Sequence, residues 1–171
     1  IIGKNLEMVS YEIPYSRLAV AATTEIKGRN LIVYGSVLPW NSAGHHAPDV
    51  YGSEKRPFIE IFRQALDEQV HDMKALREKY RDHSLVWAGD FNHTVEGRTL
   101  SSGATELLRA AIDSLGLKAA NAGAPHRAEG MKSLDLVCVD SSWKCLSVES
   151  QFPESDGRPL SDHRWYVCEF E

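Results

Sequence analysis

Apolar residues recur at three- and four-residue steps through Phe58, Phe62, Ala65, Leu66, Val70, Met73, Leu76 and Tyr80. That period is helical, and the stripe is one-sided. A helix with a single apolar face must bury it against a second apolar layer, which excludes an all-β chain and a chain without a core. Pro57 stands where a first-turn proline is favoured, so the helix is expected to begin there. Met73 within the stripe is read as core, because an unbranched thioether fills irregular gaps. A second helix is expected from about Gly103 to Leu115, with Leu107, Leu108, Ala111, Ile112 and Leu115 inward and Gly116 as its stop.

The partner layer is expected to be a sheet. From Ser16 to Val37 the chain reads as a hairpin: "SRLAVAATTEI", a turn at "KGRN", then "NLIVYGSVL", closed by Pro39. Trp40 to Arg56 has no periodicity and is expected to be a long exposed loop bordering a site. Further strands are expected at "SLVWAGDFN", "KSLDLVCVD", "CLSVESQ" and "RWYVCEFE", with a turn-rich "PESDGRPLSD" before the last. The expectation is one α/β domain over residues 1–171, with its polar residues along one rim of the strands.

With 171 residues, 43% of them hydrophobic and 25% charged, the chain has enough apolar material for a core. No apolar run approaches the roughly 18 residues that cross a bilayer, and "IIGKNLEMVS" lacks the ordered regions of a signal peptide. A cytoplasmic location is expected, although a processed secreted protein would read the same way. Cys138, Cys145 and Cys168 are odd in number and without paired zinc spacing, so reduced thiols are expected. The net charge of −5 argues against a broad footprint for duplex nucleic acid, while a local basic patch or a bound metal could still offset it.

Four short pieces place unexpected polar groups beside strands: Asp90 and Asn92 in "GDFN", Asp135 in "SLDLV", and Asp162 with His163 in "SDH". Strand alternation sends residues two apart to the same side, so Asp90 and Asn92 are expected to point together. Any one such acid is commonly a turn residue or a cap. Three acids, an amide and a histidine at three strand ends fit that explanation poorly, because converging carboxylates disfavour one another unless a cation or imidazolium offsets them.

"VYGSVLPW", "WAGDFN", "SLDLVCV" and "SDHRWYVCEF" resemble, in order and spacing, the later motifs of the endonuclease/exonuclease/phosphatase superfamily with its deoxyribonuclease-I-like fold. The resemblance runs from about Ser16 to the end, and "GDFN" is followed about seventy residues later by "SDH". It implies a two-sheet β-sandwich flanked by helices, in the broad α/β (α+β) class, and a Mg2+-dependent phosphoesterase, with Mn2+ as an alternative ion. Carried over by motif, Asp90 orients and deprotonates water, Asn92 bonds the phosphate, Asp135 supports His163 on the phosphate, and Asp162 ligates the metal. Those roles suit hard cations, which prefer oxygen ligands, and phosphoryl transfer, which is catalysed by positioning and charge neutralisation.

Two departures stand out. Family members usually open with an Asn-bearing strand and later a Glu that ligates metal; Asn5, Glu7 and Glu12 lie in other contexts, so the fold is expected to be N-terminally incomplete. Either self-association or a longer natural chain would then cover the remaining apolar faces. The other departure is Val37, where many members place a phosphate-contacting His or Tyr. His45 or His46 is the expected substitute, the alternative being two solvated loop histidines.

The expected partner is a phosphoester, with nucleic acid as one candidate. Arg127, Lys132, Arg158 and Arg164 are candidates for a phosphate path, and Trp40 and Trp143 are read equally as stacking or packing residues. The leading expectation is a nuclease-type phosphodiester hydrolase; the competing one is a non-catalytic or truncated binding module of the same fold. A Gly-x-Ser-x-Gly elbow is lacking, which sets aside an α/β-hydrolase.

Overall fold

Strands β2 (Ala19–Ile26) and β3 (Arg29–Val37) form the expected hairpin. The computed structural model describes residues 9–11, 18–51, 56–126 and 130–171. Ser16, Asn5, Glu7, Glu12 and Arg127 therefore lie outside the described residues. The hairpin turn is tighter than "KGRN" implied: Lys27 and Gly28 alone make it, both with positive φ (52° and 77°), and Arg29 and Asn30 already pair in β3. A two-residue turn with both φ values positive follows the right-handed twist of the flanking strands.

β1 (Val9–Tyr11) pairs with β2, β4 (Ser84–Asp90) runs parallel to β3, and β6 (Asp135–Asp140) runs antiparallel to β4. With β5 (Leu117–Ala119) these make one six-stranded sheet in the order β1-β2-β3-β4-β6-β5. β1 and β5 have three residues each and carry no sequence signal of their own; pairing with long neighbours makes them strands.

The connection from Trp40 to Arg56 is not simply an irregular loop. It holds two single-turn helices, α1 (Ala43–His46) and α2 (Pro48–Tyr51). Tertiary packing orders α1: Ala43 is buried with Ile61, and a Cβ on Gly44 would lie only 2.7 Å from the Ile61 side chain. Trp40 packs against the same pair, which assigns it to packing.

α3 (Phe58–Lys79) and α4 (Ser102–Ser114) supply the helical layer. Pro57 occupies the cap just before α3 with an extended ψ of 137°, and the Ser101 hydroxyl accepts from the Ala104 N–H at the start of α4. Phe62, Leu66, Met73 and Leu76 join Leu108, Ala111, Ile112 and Leu115 in one core with Ile32, Tyr34, Leu85, Trp87, Leu136 and Cys138 of the sheet. The apolar stripes thus do what their spacing predicted.

A second, two-stranded sheet pairs β7 (Cys145–Gln151) with β10 (Trp165–Phe170), and β8 (Glu154–Ser155) with β9 (Arg158–Pro159) forms a small hairpin between them. The architecture is the expected mixed α/β one, with a large sheet and helices. Val148 lies opposite Cys168, whereas Val167 lies opposite Glu149, so the exposed Val148 and Val167 occupy opposite faces of the smaller sheet. Trp143 meets Phe170 edge-on and donates to the Ser84 hydroxyl, so it too is a packing residue. All three cysteines are free.

Candidate active site

The parallel and antiparallel ladders place Val37, Asp90 and Asp135 side by side, Asp90 being in register with both. Like charges directly opposite each other across a sheet are unfavourable, so this pair needs compensation. His163 provides part of it: its Nδ1 lies 2.8 Å from an Asp135 carboxylate oxygen. The Asp135 and His163 side chains are 26% and 33% exposed, enough to be sheltered and still reachable. Ligand atoms of Asp90, Asp135 and His163 all lie within 4.8 Å of one another, so the group can hold a metal ion.

Local structure explains why each residue arrives. Gly89 precedes Asp90 with φ of 154°, and a Cβ there would sit 1.8 Å from the Ser36 carbonyl oxygen. Only glycine allows β3 to pass that close. The Leu38 N–H then donates to the Asp90 carbonyl and the Phe91 N–H to the Leu134 carbonyl, clamping the motif between β3 and the start of β6.

Asn92 arrives differently from the expectation. β4 ends at Asp90, so strand alternation does not orient Asn92. It adopts a left-handed φ of 52°; its backbone N–H donates to the Asp90 carboxylate at 2.9 Å, and its side-chain amide donates to the Leu38 carbonyl at 2.9 Å. Asn tolerates that conformation better than most residues, which is why a turn of this kind selects it.

Asp135 is held from behind. The buried Asn121 donates to the Asp135 carbonyl at 2.7 Å and accepts from the Val137 N–H at 2.8 Å, and the buried Ser133 hydroxyl donates to the same carbonyl. At the other motif the Ser161 hydroxyl accepts from the His163 N–H at 3.0 Å. Asp162 is exposed beside His163 and lies outside the three-residue group.

The charges follow from this layout. Burial raises the Asp90 carboxyl above the ordinary range; the Asn92 backbone N–H opposes that, and the Asp135 charge adds to it. Burial alone would lower His163, but the Asp135 hydrogen bond and the charges of Asp135, Asp90 and Asp162 outweigh it and raise the imidazole. A carboxylate of raised proton affinity beside a favoured imidazolium has the chemistry to take up a proton and to attract an anion.

His45 and His46 are exposed on α1, face each other edge-on at 5.0 Å, and do not belong to the group. Lys132 forms an isolated bridge with Pro125, Arg158 lies exposed in β9, and Arg164 stacks on Phe152 at 4.1 Å. The motifs did not single out Asn121, Ser133, Ser161 or His126. His126 lies edge-on to His163 with ring centroids 5.7 Å apart, and its signal in "APHRAEG" was a lone histidine among small residues.

No family model and no curated protein sequence matches the chain. Solved structures do. The chain superposes on the endonuclease domain of TRAS1, a telomere-specific non-LTR retrotransposon, at TM-score 0.61 and 13% identity over 98% of this chain. It also superposes on the human nocturnin catalytic domain at TM-score 0.62 and 17% identity over 97%. An endonuclease/exonuclease/phosphatase from Bacteroides vulgatus matches at TM-score 0.59 and 18% identity over 90%. The chain has the endonuclease/exonuclease/phosphatase fold. It spans 70%, 60% and 54% of those three chains. At such identities the likeness is one of fold, with deoxyribonuclease-I-like architecture, and the chemistry is argued from the site.

Proposed function

We propose that this chain hydrolyses phosphoesters in a metal-dependent reaction, with phosphodiesters of the nucleic-acid kind as its substrate class. The observation that carries the proposal is the meeting of Asp90, Asp135 and His163 at adjoining strand ends. The TRAS1 domain that is a neighbour in fold is an endonuclease, which supports the diester over other phosphoesters.

Asp90 accepts the proton of the attacking water and aligns it; its raised proton affinity brings it closer to a working base at neutral pH. His163, held by Asp135, offers a charged imidazole to the phosphoryl oxygens. Asn92 retains a second amide N–H beyond the one given to Leu38, and that hydrogen suits a phosphoryl oxygen as charge builds. The acidic surroundings of the group suit a hard divalent cation: Asp162, exposed beside His163, would hold Mg2+, or Mn2+, which favours the same oxygen donors. Such an ion, when bound, supplies charge neutralisation at the phosphate. The imidazole is better employed on the anion than on the metal. Three reduced thiols accord with a cytoplasmic setting. Among the described residues no helix is long and apolar enough to cross a membrane.

Hydrolysis of an activated aryl phosphodiester is the test, with Mg2+ or with EDTA, beside Asp90→Asn and Asp162→Ala. Turnover that needs Mg2+ and is lost in Asp90→Asn is the expected result. Wild-type turnover no greater than that of Asp90→Asn would refute catalysis and leave a binding module of the same fold.

A further inference from the structure

The described residues on either side of 127–129 carry His126 to the edge of the site, and they are pinned on several sides. Pro125 and Lys132 form an antiparallel bridge, the His126 N–H donates to the Met131 carbonyl at 3.0 Å, and the Ser133 N–H donates to the Ala124 carbonyl at 3.0 Å. From the second sheet, the Tyr166 hydroxyl donates to the Pro125 carbonyl at 2.9 Å. An imidazole mounted on so many bonds is placed, not dangling.

Its Nδ1 is shut off from solvent and has no hydrogen-bond partner among the described residues. A buried N–H without a partner is rarer and more costly than a bare acceptor lone pair, so the favoured tautomer leaves Nδ1 unprotonated and puts the hydrogen on Nε2. Burial, followed by the neighbouring His163, disfavours a second proton on this ring. His126 is thus a neutral donor beside a charged one. The two rings meet edge-on at 81°, close enough for one tetrahedral anion at their rim to accept from both at ordinary distances of about 2.8 Å. Val37, in register with Asp90, has an apolar side chain and supplies no such bond.

We propose that His126 is a substrate-binding residue of this site, its Nε2–H donating to a phosphoryl oxygen that His163 also contacts. The proposal rests on the phosphoesterase function above, and it gives the site two dissimilar imidazoles: His163 for charge and His126 for orientation.

Two substitutions separate donation from packing. His126→Phe keeps a ring against His163 but donates nothing; His126→Gln keeps an amide N–H near the Nε2 position. Binding of inorganic phosphate, followed by calorimetry, and the KM of the aryl diester are read for both, with thermal unfolding as the check on folding. The Phe variant is expected to weaken phosphate binding and raise KM by about tenfold, with Gln recovering most of the loss. Wild-type values in the Phe variant would overturn the proposal and leave His126 a packing residue, as would equal losses in Phe and Gln or the absence of any phosphate binding by the wild type. Phosphate binding reads His126 without turnover, whereas Asp90→Asn reads turnover without removing His126. A wild type that binds phosphate through His126 yet hydrolyses nothing therefore supports this proposal while refuting catalysis.

Discussion

His93, directly after Asn92, should make the fold sensitive to acid. It is 1% exposed, lies stacked on Phe58 at 5.3 Å and against Phe62 at 4.9 Å, and neither ring nitrogen has a partner among the described residues. Burial pulls its imidazole from the ordinary 6.5 down to about 4. The unfolded chain therefore takes up this proton as pH falls through 6.5, while the folded chain resists until about 4. Stability is fully present above the unfolded value and is lost as pH falls through that window. At about pH 4.5 the loss is about 2.5 kcal/mol, and at about pH 7.5 it is negligible. His93→Leu removes the titration and both unpaired nitrogens and keeps an apolar side chain against the two rings. Urea-unfolding free energies of the two proteins should agree within about 1 kcal/mol at about pH 7.5, where the lost unpaired nitrogens and the lost stacking oppose each other. At about pH 4.5 the variant should lead by a further 2 to 3 kcal/mol or so. Other titrating groups, Asp90 included, cancel in that double difference. Parallel pH profiles for the two proteins would refute the assignment of His93 as a buried neutral imidazole.

Gly89→Ala should abolish stable folding or cost more than about 3 kcal/mol, since the new Cβ meets the Ser36 backbone, whereas Gly28→Ala, open on all sides, should cost only about 1 kcal/mol for its positive φ. Circular dichroism melts of the pair separate collision from conformation, and equal losses would count against the close approach of β3. Asp140 pairs with Arg77 and accepts from the Leu85 N–H at 2.8 Å, so Asp140→Ala should cost about 2 kcal/mol in urea unfolding; a neutral result would dismiss this tie between α3 and the sheet. Asp135→Asn removes a charge that raises His163 and leaves only a neutral acceptor for its Nδ1–H, so the alkaline limb of kcat/KM should move to lower pH, and an unmoved limb would show that another group sets it. The His45→Ala, His46→Ala double variant should retain full activity, and a loss would bring α1 back into the site.

Much of the helical layer was legible because it depends on local period: the apolar stripes of α3 and α4 could bury on only one side, and they do. The hairpin turn was legible for the same reason, although two residues sufficed where four were expected. β1 and β5 were not legible, since three residues become a strand only through a neighbour, and α1 is ordered by contact with Ile61. Of the predicted site residues, Asp90, Asp135 and His163 converge, while Asp162 stands beside the group and His45 and His46 do not belong to it.

By itself the sequence determined which chemical groups were available and, through "GDFN", "SLDLV" and "SDH", that they would stand at strand ends. The tertiary structure alone decided which of them meet. Register placed Asp90 against Asp135, a left-handed turn rather than strand alternation oriented Asn92, and a pinned loop brought His126 to His163. Local propensity acts over a few residues, whereas these contacts join segments tens of residues apart and exist only once the ladders have closed.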